Sequence, residues 1–390
     1  MRIAILTSHP VPYHVPLYRG LAAHPDVELE VFYSHNHGVE PTFDQGFGLQ
    51  VKFDVPLLEG YNYKFPRNFA RKPGFTFWGQ VNPEVPLSVS RGDFDAVIIH
   101  GYRTATSLAA FLAPRLGGRT RVLLRSESNL LHARPLGTRL AKELAIRALF
   151  LRIDHFLAIG SKSSEYFQAY GVAPSRVTVA PYSVDNAYFE ERSAVARREP
   201  DLVRTRLGLP LDRAVYLYCS KLAPHKRPLD ILRAFALARK RVACALAYVG
   251  TGVQSEELRA EVAKLGLGQD VFRLGFRNQS ELPEIYGACD VFVLPSEFEP
   301  WGMVVNEAMA SGMAVCLSAA VGSAYDLVRG NGAIFPVGDI QKLADLLVEW
   351  ASDREKIREM KQASLRRIAE WSVDHTVAGV VSGVRKALGS

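Results

Sequence analysis

Four cysteines in 390 residues, none at metal-ligand spacing, and no long apolar run remove several classes of protein at the outset. Cys219, Cys244, Cys289 and Cys316 fall in the second half, three of them in or beside the runs "AVYLYCS", "VACALAYVG" and "MAVCLS". Buried reduced thiols are therefore expected, with no disulfide and no metal site. A bilayer-spanning helix needs roughly 18 or more apolar residues, and no such stretch occurs. The opening "MRIAILTSHP" lacks the apolar region and small-residue cleavage site of a secretory signal. A soluble, cytoplasmic protein is expected, and no nucleic-acid partner.

What the sequence does have is apolar material, 48% of residues, enough for full cores in two domains of ordinary size. Short β-branched runs alternate with helical patterns along the whole chain. Strands are predicted at "RIAILT", "VELEVFY", "DAVIIH", "RVLLR", "HFLAIG" and "RVTVAP", then at "AVYLYCS", "CALAYVG", "VFRLG", "DVFVLP" and "MAVCLS". These runs are apolar at successive positions, the mark of parallel strands covered on both faces. The pattern predicts an α/β protein of two doubly wound, Rossmann-like domains, residues 1–192 and 200–370, with a last helix at about 373–390 packing back on the first. The charged stretch near 190–200 is expected to link them.

Chemistry in such sheets gathers beyond the carboxyl ends of the strands. There "DVFVLPSEFEPWGMVVNEAMASG" reads as strand, loop and helix, with backbone N–H groups of Gly302, Met303, Val304 and Val305 at a helix start that suits an anion. Glu307, about a turn inside that helix, can accept hydrogen bonds from a diol such as ribose, and Glu299 lies in the loop. Either glutamate alone could simply complement the helix dipole. A second cluster, "YLYCSKLAPHKRPLD", brings Lys221 and Lys226 to another strand end, where two ammonium groups could pinch a diphosphate. Gly250 and Gly252 in "YVGTG" permit close backbone approach, and Phe276 and Arg277 follow a strand where a nucleobase could lie.

In this order, Lys221, Lys226, "VGTG" and "LGFRNQSELPEIYGACDVFVLPSEFEPWGMVVNEAMASG" strongly resemble the retaining glycosyltransferases of family 4, which have the GT-B fold of two Rossmann-like domains facing across a cleft. The resemblance covers most of residues 214 to 350. It implies that Glu307 holds the nucleotide ribose, that Glu299 contacts the transferred sugar, and that Lys221 and Lys226 take the diphosphate. It also implies a nucleotide-diphosphate sugar, UDP- or GDP-linked, as donor and no separate cofactor. His100, at the end of "DAVIIH", matches the family's histidine near the donor sugar. Where the family carries a glycine pair after the first strand, this chain reads "TSHPVPYHVPLYRG"; His9, Tyr13 and His14 are expected on the acceptor side, together with Arg125, Glu127 and Asn129.

The expected reaction is sugar transfer with retention to a glycan, lipid-linked or small-molecule hydroxyl. The alternatives are a non-catalytic sugar-nucleotide or glycan-binding protein on the same fold, or a GT-B epimerase. Asp93 and Asp95 form an Asp-x-Asp pair, but they precede a strand and so lie at the wrong end for a metal-bound ligand. Asp185 and Asn186 are expected to form a turn. Residues 60 to 152 hold 15 Lys and Arg against 5 Asp and Glu. With Arg139, Lys142 and Arg147 flanking an apolar helix face, that excess raises the expectation of peripheral contact with an anionic membrane, set against a solvated face over ordinary core.

Overall fold

The computed structural model describes residues 1–44, 46–113, 119–131 and 139–389, with residues 139–141 described by their backbone alone. The strands in chain order are β1 (Arg2–Thr7), β2 (Glu28–Tyr33), β3 (Thr42–Asp44), β4 (Leu49–Val51), β5 (Asn62–Lys64), β6 (Ala96–His100), β7 (Arg121–Ser126), β8 (His155–Ala158) and β9 (Val177–Val179). They continue with β10 (Ala214–Cys219), β11 (Cys244–Val249), β12 (Val271–Gly275), β13 (Val291–Leu294), β14 (Ala314–Ser318) and β15 (Gly332–Phe335). The chain forms two compact units: Met1–Thr42, Pro56–Ser183 and Trp371–Ser390 make the first, and Phe43–Val55 with Val184–Glu370 the second.

The first unit is built on a parallel sheet ordered β5-β2-β1-β6-β7-β8-β9, the second on a parallel sheet ordered β12-β11-β10-β13-β14-β15. Every residue of β10 and β11 is buried, as strands with helices on both faces require. In each sheet the order reverses once, between β1 and β6 and between β10 and β13. At these switch points the connections leave in opposite directions and the loops at the strand ends stay uncovered.

All the strands expected from the sequence form. The short strands β3, β4, β5 and β15 were not expected, having three or four residues each and, in β5, no buried position. The stretch near 190–200, expected as a linker, is helical instead: Asn186–Arg198 and Pro200–Leu207 belong to the second unit and bury Phe189, Ser193, Ala196 and Val203. Its apolar residues are sparse but fall on one side of the helix, which suffices against a neighbouring helix. Asp185 is the cap of that helix, accepting from the Tyr188 N–H at 3.0 Å, where a turn was expected.

The helix Val373–Leu388 packs on β8 and β9 of the first unit. Thr376 Oγ1 donates to the Pro181 carbonyl at 2.7 Å, and Arg385 pairs with Asp26 at 2.6 Å. Two glycines four residues apart let it settle closely, since a Cβ at Gly379 would come within 2.4 Å of the Val179 carbonyl oxygen. The helix Arg139–Phe150 turns Ile146 and Phe150 into the core of this unit, so part of the apolar face that suggested a membrane contact is spent on packing. Arg147 is held by Glu143 at 2.9 Å, and the Arg139 side chain lies outside the described residues. Among the described residues no helix is long and apolar enough to cross a membrane.

Asp290 staples the second sheet at the amino end of its switch point. Its carboxylate accepts from the Val215 N–H of β10 at 2.8 Å and from buried Arg204 at 2.8 Å, with Arg354 at 3.3 Å. Burial opposes its charge, but Lys361, Arg204 and Arg354 outweigh that and hold the carboxyl below the usual range. Asp290→Ala strands Arg204 without a counter-charge and is expected to cost about 3–5 kcal/mol in urea unfolding. Replacing Arg204 by Met in the same chain should recover much of that loss.

Candidate active site

The loops after β10 and β13, on either side of the second switch point, bring together the residues singled out in the second half. Pro224–Lys226 form one 3₁₀ turn, and Arg227 then takes a left-handed conformation, φ 52°, at the cap of the helix Pro228–Arg239. That geometry costs about 1 kcal/mol or more for a non-glycine residue and is held here by ion pairs to Asp230 and Glu297. It leaves Lys226 directed at Glu299, and the two form an ion pair with little exposure on either side, 15% and 11%. Gly302, at φ 91°, caps the helix Met303–Ala310. Met303 and Val304 lead that helix half-buried, while the Val305 N–H turns back to the Gly302 carbonyl at 2.9 Å, so one of the four amides expected at an anion is engaged within the turn.

Glu307 is 4% exposed and fully specified. One carboxylate oxygen accepts from Gln279 Nε2 at 2.9 Å and the other from the buried Tyr286 hydroxyl at 3.0 Å. Burial raises its pKa to about 7, against the downward pull of those two hydrogen bonds. Gln279 and Tyr286 were not singled out from the sequence, although both stand inside the quoted motif. A tyrosine on the buried side of the helix Leu282–Ala288, whose Leu282, Ile285 and Ala288 are also buried, is the signal that could have exposed one of them.

The remaining second-unit candidates divide. Lys221 pairs with Asp44 at 2.9 Å, and Phe276, half-buried, meets Phe47 edge-to-face at 5.1 Å. Arg277 is occupied by the Leu274 carbonyl and by Glu281 at 2.9 Å. Gly250 and Gly252, at φ 125° and 159°, do permit close approach, but what approaches is the chain's own loop: a Cβ would lie 2.1 Å from the Ser220 carbonyl oxygen and 2.6 Å from that of Leu222. Burial pushes the Cys219 thiol, hydrogen-bonded to Tyr286 beside this cluster, up to about 12, and all four cysteines are buried and free.

In the first unit the switch between β1 and β6 gathers a second group. The rings of His14 and His100 meet at right angles, 4.7 Å apart, with Tyr13 4.7 Å from His14. Arg125 is buried, with its guanidinium 4.7 Å from the Tyr182 ring and Nη2 donating to the Ala180 and Pro181 carbonyls. Tyr182 in turn donates to Glu127 at 2.7 Å. Among the described residues, the ring nitrogens of both histidines and Nε and Nη1 of Arg125 have no hydrogen-bond partner. Burial, reinforced by Arg125, holds both imidazoles well below their usual range and therefore neutral at pH 7. His9 sits instead with Phe75, His37 and His35, at ring distances of 4.9, 5.4 and 6.4 Å. Asn129 accepts from the Leu131 N–H at 3.1 Å, a local turn. Asp95 bonds the Arg2 N–H at 2.7 Å at the start of β6, the end of the sheet expected from its position.

This architecture is shared with solved structures along the whole chain. A glycosyltransferase from Rickettsia africae superposes with a TM-score of 0.76 at 12% identity, covering 99% of this chain and 98% of that one. Anabaena HepE in complex with UDP gives 0.75 at 20% identity, covering 98% and 99%. The fold is GT-B. Residues 201–367, which carry the second-unit cluster, match the family Glycosyl transferases group 1. The D-inositol 3-phosphate glycosyltransferase of Thermobispora bispora is 31% identical over 242 residues, 58% of this chain and 54% of that protein. The chain thus spans about half the length of the curated relatives it matches.

The raised pKa of Glu307 has a testable sign. The folded state holds the proton to about pH 7, the unfolded chain only to about 4.5. The stability this contributes is present below pH 4.5 and lost as pH rises through about 7. Relative to Glu307→Gln, which carries no charge to bury, the native chain is expected to lose about 3 kcal/mol across that window. Urea midpoints of both proteins at pH 5 and pH 8 measure the difference, and parallel pH profiles would count against a buried titrating carboxyl.

Proposed function

We infer that this chain is a retaining glycosyltransferase of family 4, moving a sugar from a nucleotide-diphosphate donor to an acceptor hydroxyl. The observation that carries this reading is the grouping of a buried, doubly held Glu307 with the Lys226–Glu299 pair and the helix start at Gly302, around one switch point. UDP is the base carrier favoured over GDP, because similar structures hold UDP, UDP with glucose, or UDP-glucose. A small-molecule hydroxyl acceptor is favoured by relatives named for D-inositol 3-phosphate; the acceptor side is assigned to His14 and Arg125, while His100, packed against His14, keeps the role near the donor sugar that the resemblance implies.

In this reading Glu307, once ionised, offers its remaining lone pairs to the two ribose hydroxyls, held in place by Gln279 and Tyr286. Lys226 exchanges Glu299 for the diphosphate and stabilises the charge that grows as the glycosidic bond breaks, with the helix start adding its dipole. Glu299, so released, accepts from hydroxyls of the sugar. The acceptor attacks on the face that the nucleotide leaves, its proton passing to the departing phosphate, so the anomeric configuration is kept. The protein supplies position and electrostatics.

Calorimetry with UDP is expected to show Glu307→Ala weakened by about 1.5–3 kcal/mol, the worth of hydrogen bonds to a charged group. Glu299→Ala should bind bare UDP nearly normally yet lose kcat, since its partner is the reacting sugar. Unchanged UDP affinity in Glu307→Ala would remove the ribose assignment. An inverted anomeric linkage by product NMR would remove retention, and binding without turnover across an acceptor panel would leave a sugar-nucleotide-binding protein.

A further inference from the structure

Residues Phe43–Val55 lie about 130 positions from the rest of the second unit, yet they pack on it. They run across the carboxyl ends of three neighbouring strands. After β10, Asp44 meets the Lys221 ammonium with both oxygens, at 2.9 and 3.0 Å. After β11, Gly46 places its carbonyl oxygen 3.0 Å from where a Cβ of Gly252 would stand. After β12, Phe47 lies edge-to-face on Phe276 at 5.1 Å, with the Lys221 ammonium 4.5 Å from the centre of its ring. The far end is tied down as well: Asn278 Nδ2 donates to the Lys52 carbonyl at 2.8 Å, and Ser280 donates to Asp54 through both its N–H and its hydroxyl.

The anchoring carboxylate is preorganised. Asp44 Oδ1 also accepts from the Gly46 and Phe47 N–H groups at 2.7 and 3.0 Å. Burial opposes its charge, but the Lys221 ammonium and those two N–H groups outweigh it and hold the carboxyl below its usual range. The segment therefore offers an anion to Lys221, the partner of Lys226 in the basic pair that the family resemblance gives to the diphosphate, and an aromatic ring to Phe276, which the sequence reading gives to the base region.

We propose that Phe43–Val55 is a built-in competitor of the nucleotide, a strap that occupies the diphosphate and base positions of the second unit and is displaced when a nucleoside diphosphate binds. The proposal rests on the donor-site reading above. The competition is electrostatically balanced: Lys221 exchanges one anion for another, so the cation is never left bare in a partly buried site. Its strength is bounded, because Lys221 and Asp44 are 34% and 21% exposed and the pair is partly screened by solvent.

Calorimetric titration of the full-length protein with UDP tests the strap, comparing native chain, Asp44→Ala and Phe47→Ala, with thermal melts to establish that each variant is folded. Both substitutions are expected to tighten UDP binding, by about two- to tenfold each. Hydrogen exchange of the native chain should show amides within 46–54 losing protection on UDP addition while those around Glu307 gain it. UDP binding that Asp44→Ala leaves unchanged or weakens, or a gain of protection across 46–54, overturns the competitor and leaves the donor site standing. Absence of UDP and GDP binding by the native chain and both variants alike overturns the donor-site reading, and the strap with it.

Discussion

The reversal of strand order between β10 and β13 is the constraint on which the second unit's chemistry depends. A parallel strand must be followed by a right-handed crossover, so neighbours whose order reverses send their connections away from each other. The ends of those two strands are then left open, and the loops that begin there reach into the gap. Lys226 comes from one loop and Glu299 from the other, and their ion pair closes across the reversal. The first unit repeats the arrangement, with His14 reached from β1 and His100 ending β6. Asp290 acts at the opposite end of the same strands, where it fixes the spacing on which the loops rely.

The two groups differ in how they handle buried polarity. Around Glu307 each carboxylate oxygen has a protein partner, so the group is oriented before any ligand arrives. In the first unit both imidazoles and two nitrogens of Arg125 are enclosed without partners among the described residues. Unpaired buried donors cost roughly 1–3 kcal/mol each, which makes that group the less settled of the two. A scaffold that is finished on one unit and unsatisfied on the other matches a reading in which one partner, the nucleotide, is handled by a preorganised pocket.

Much of this was legible in the sequence because the physics involved is local. Apolar runs such as "AVYLYC" can be little other than a doubly covered strand, and two glutamates with seven residues between them across a Pro-Trp-Gly turn mark a strand end and the helix that follows it. What escaped depended on contacts distant in sequence. The pairing of Asp44 with Lys221 spans 177 positions and has no local signature. The helices at 186–207 were hidden because sparse apolar residues suffice when the neighbour is another helix. Gly250 and Gly252 were read as places where a ligand could come close, and the sequence could not say that the Ser220–Leu222 backbone packs there.

The last helix sets the order in which the molecule can be completed. Val373–Leu388 covers β8 and β9, strands that leave the ribosome some two hundred residues earlier. Until it emerges, the side of the first sheet carrying Leu157 is open to solvent, and the nascent chain exposes apolar surface while the whole second unit is being synthesised. The second unit needs only Phe43–Val55 from the earlier sequence, so it can close before the first. A sheet that waits for so late a helix leaves apolar surface exposed through much of synthesis, the condition under which incomplete chains aggregate.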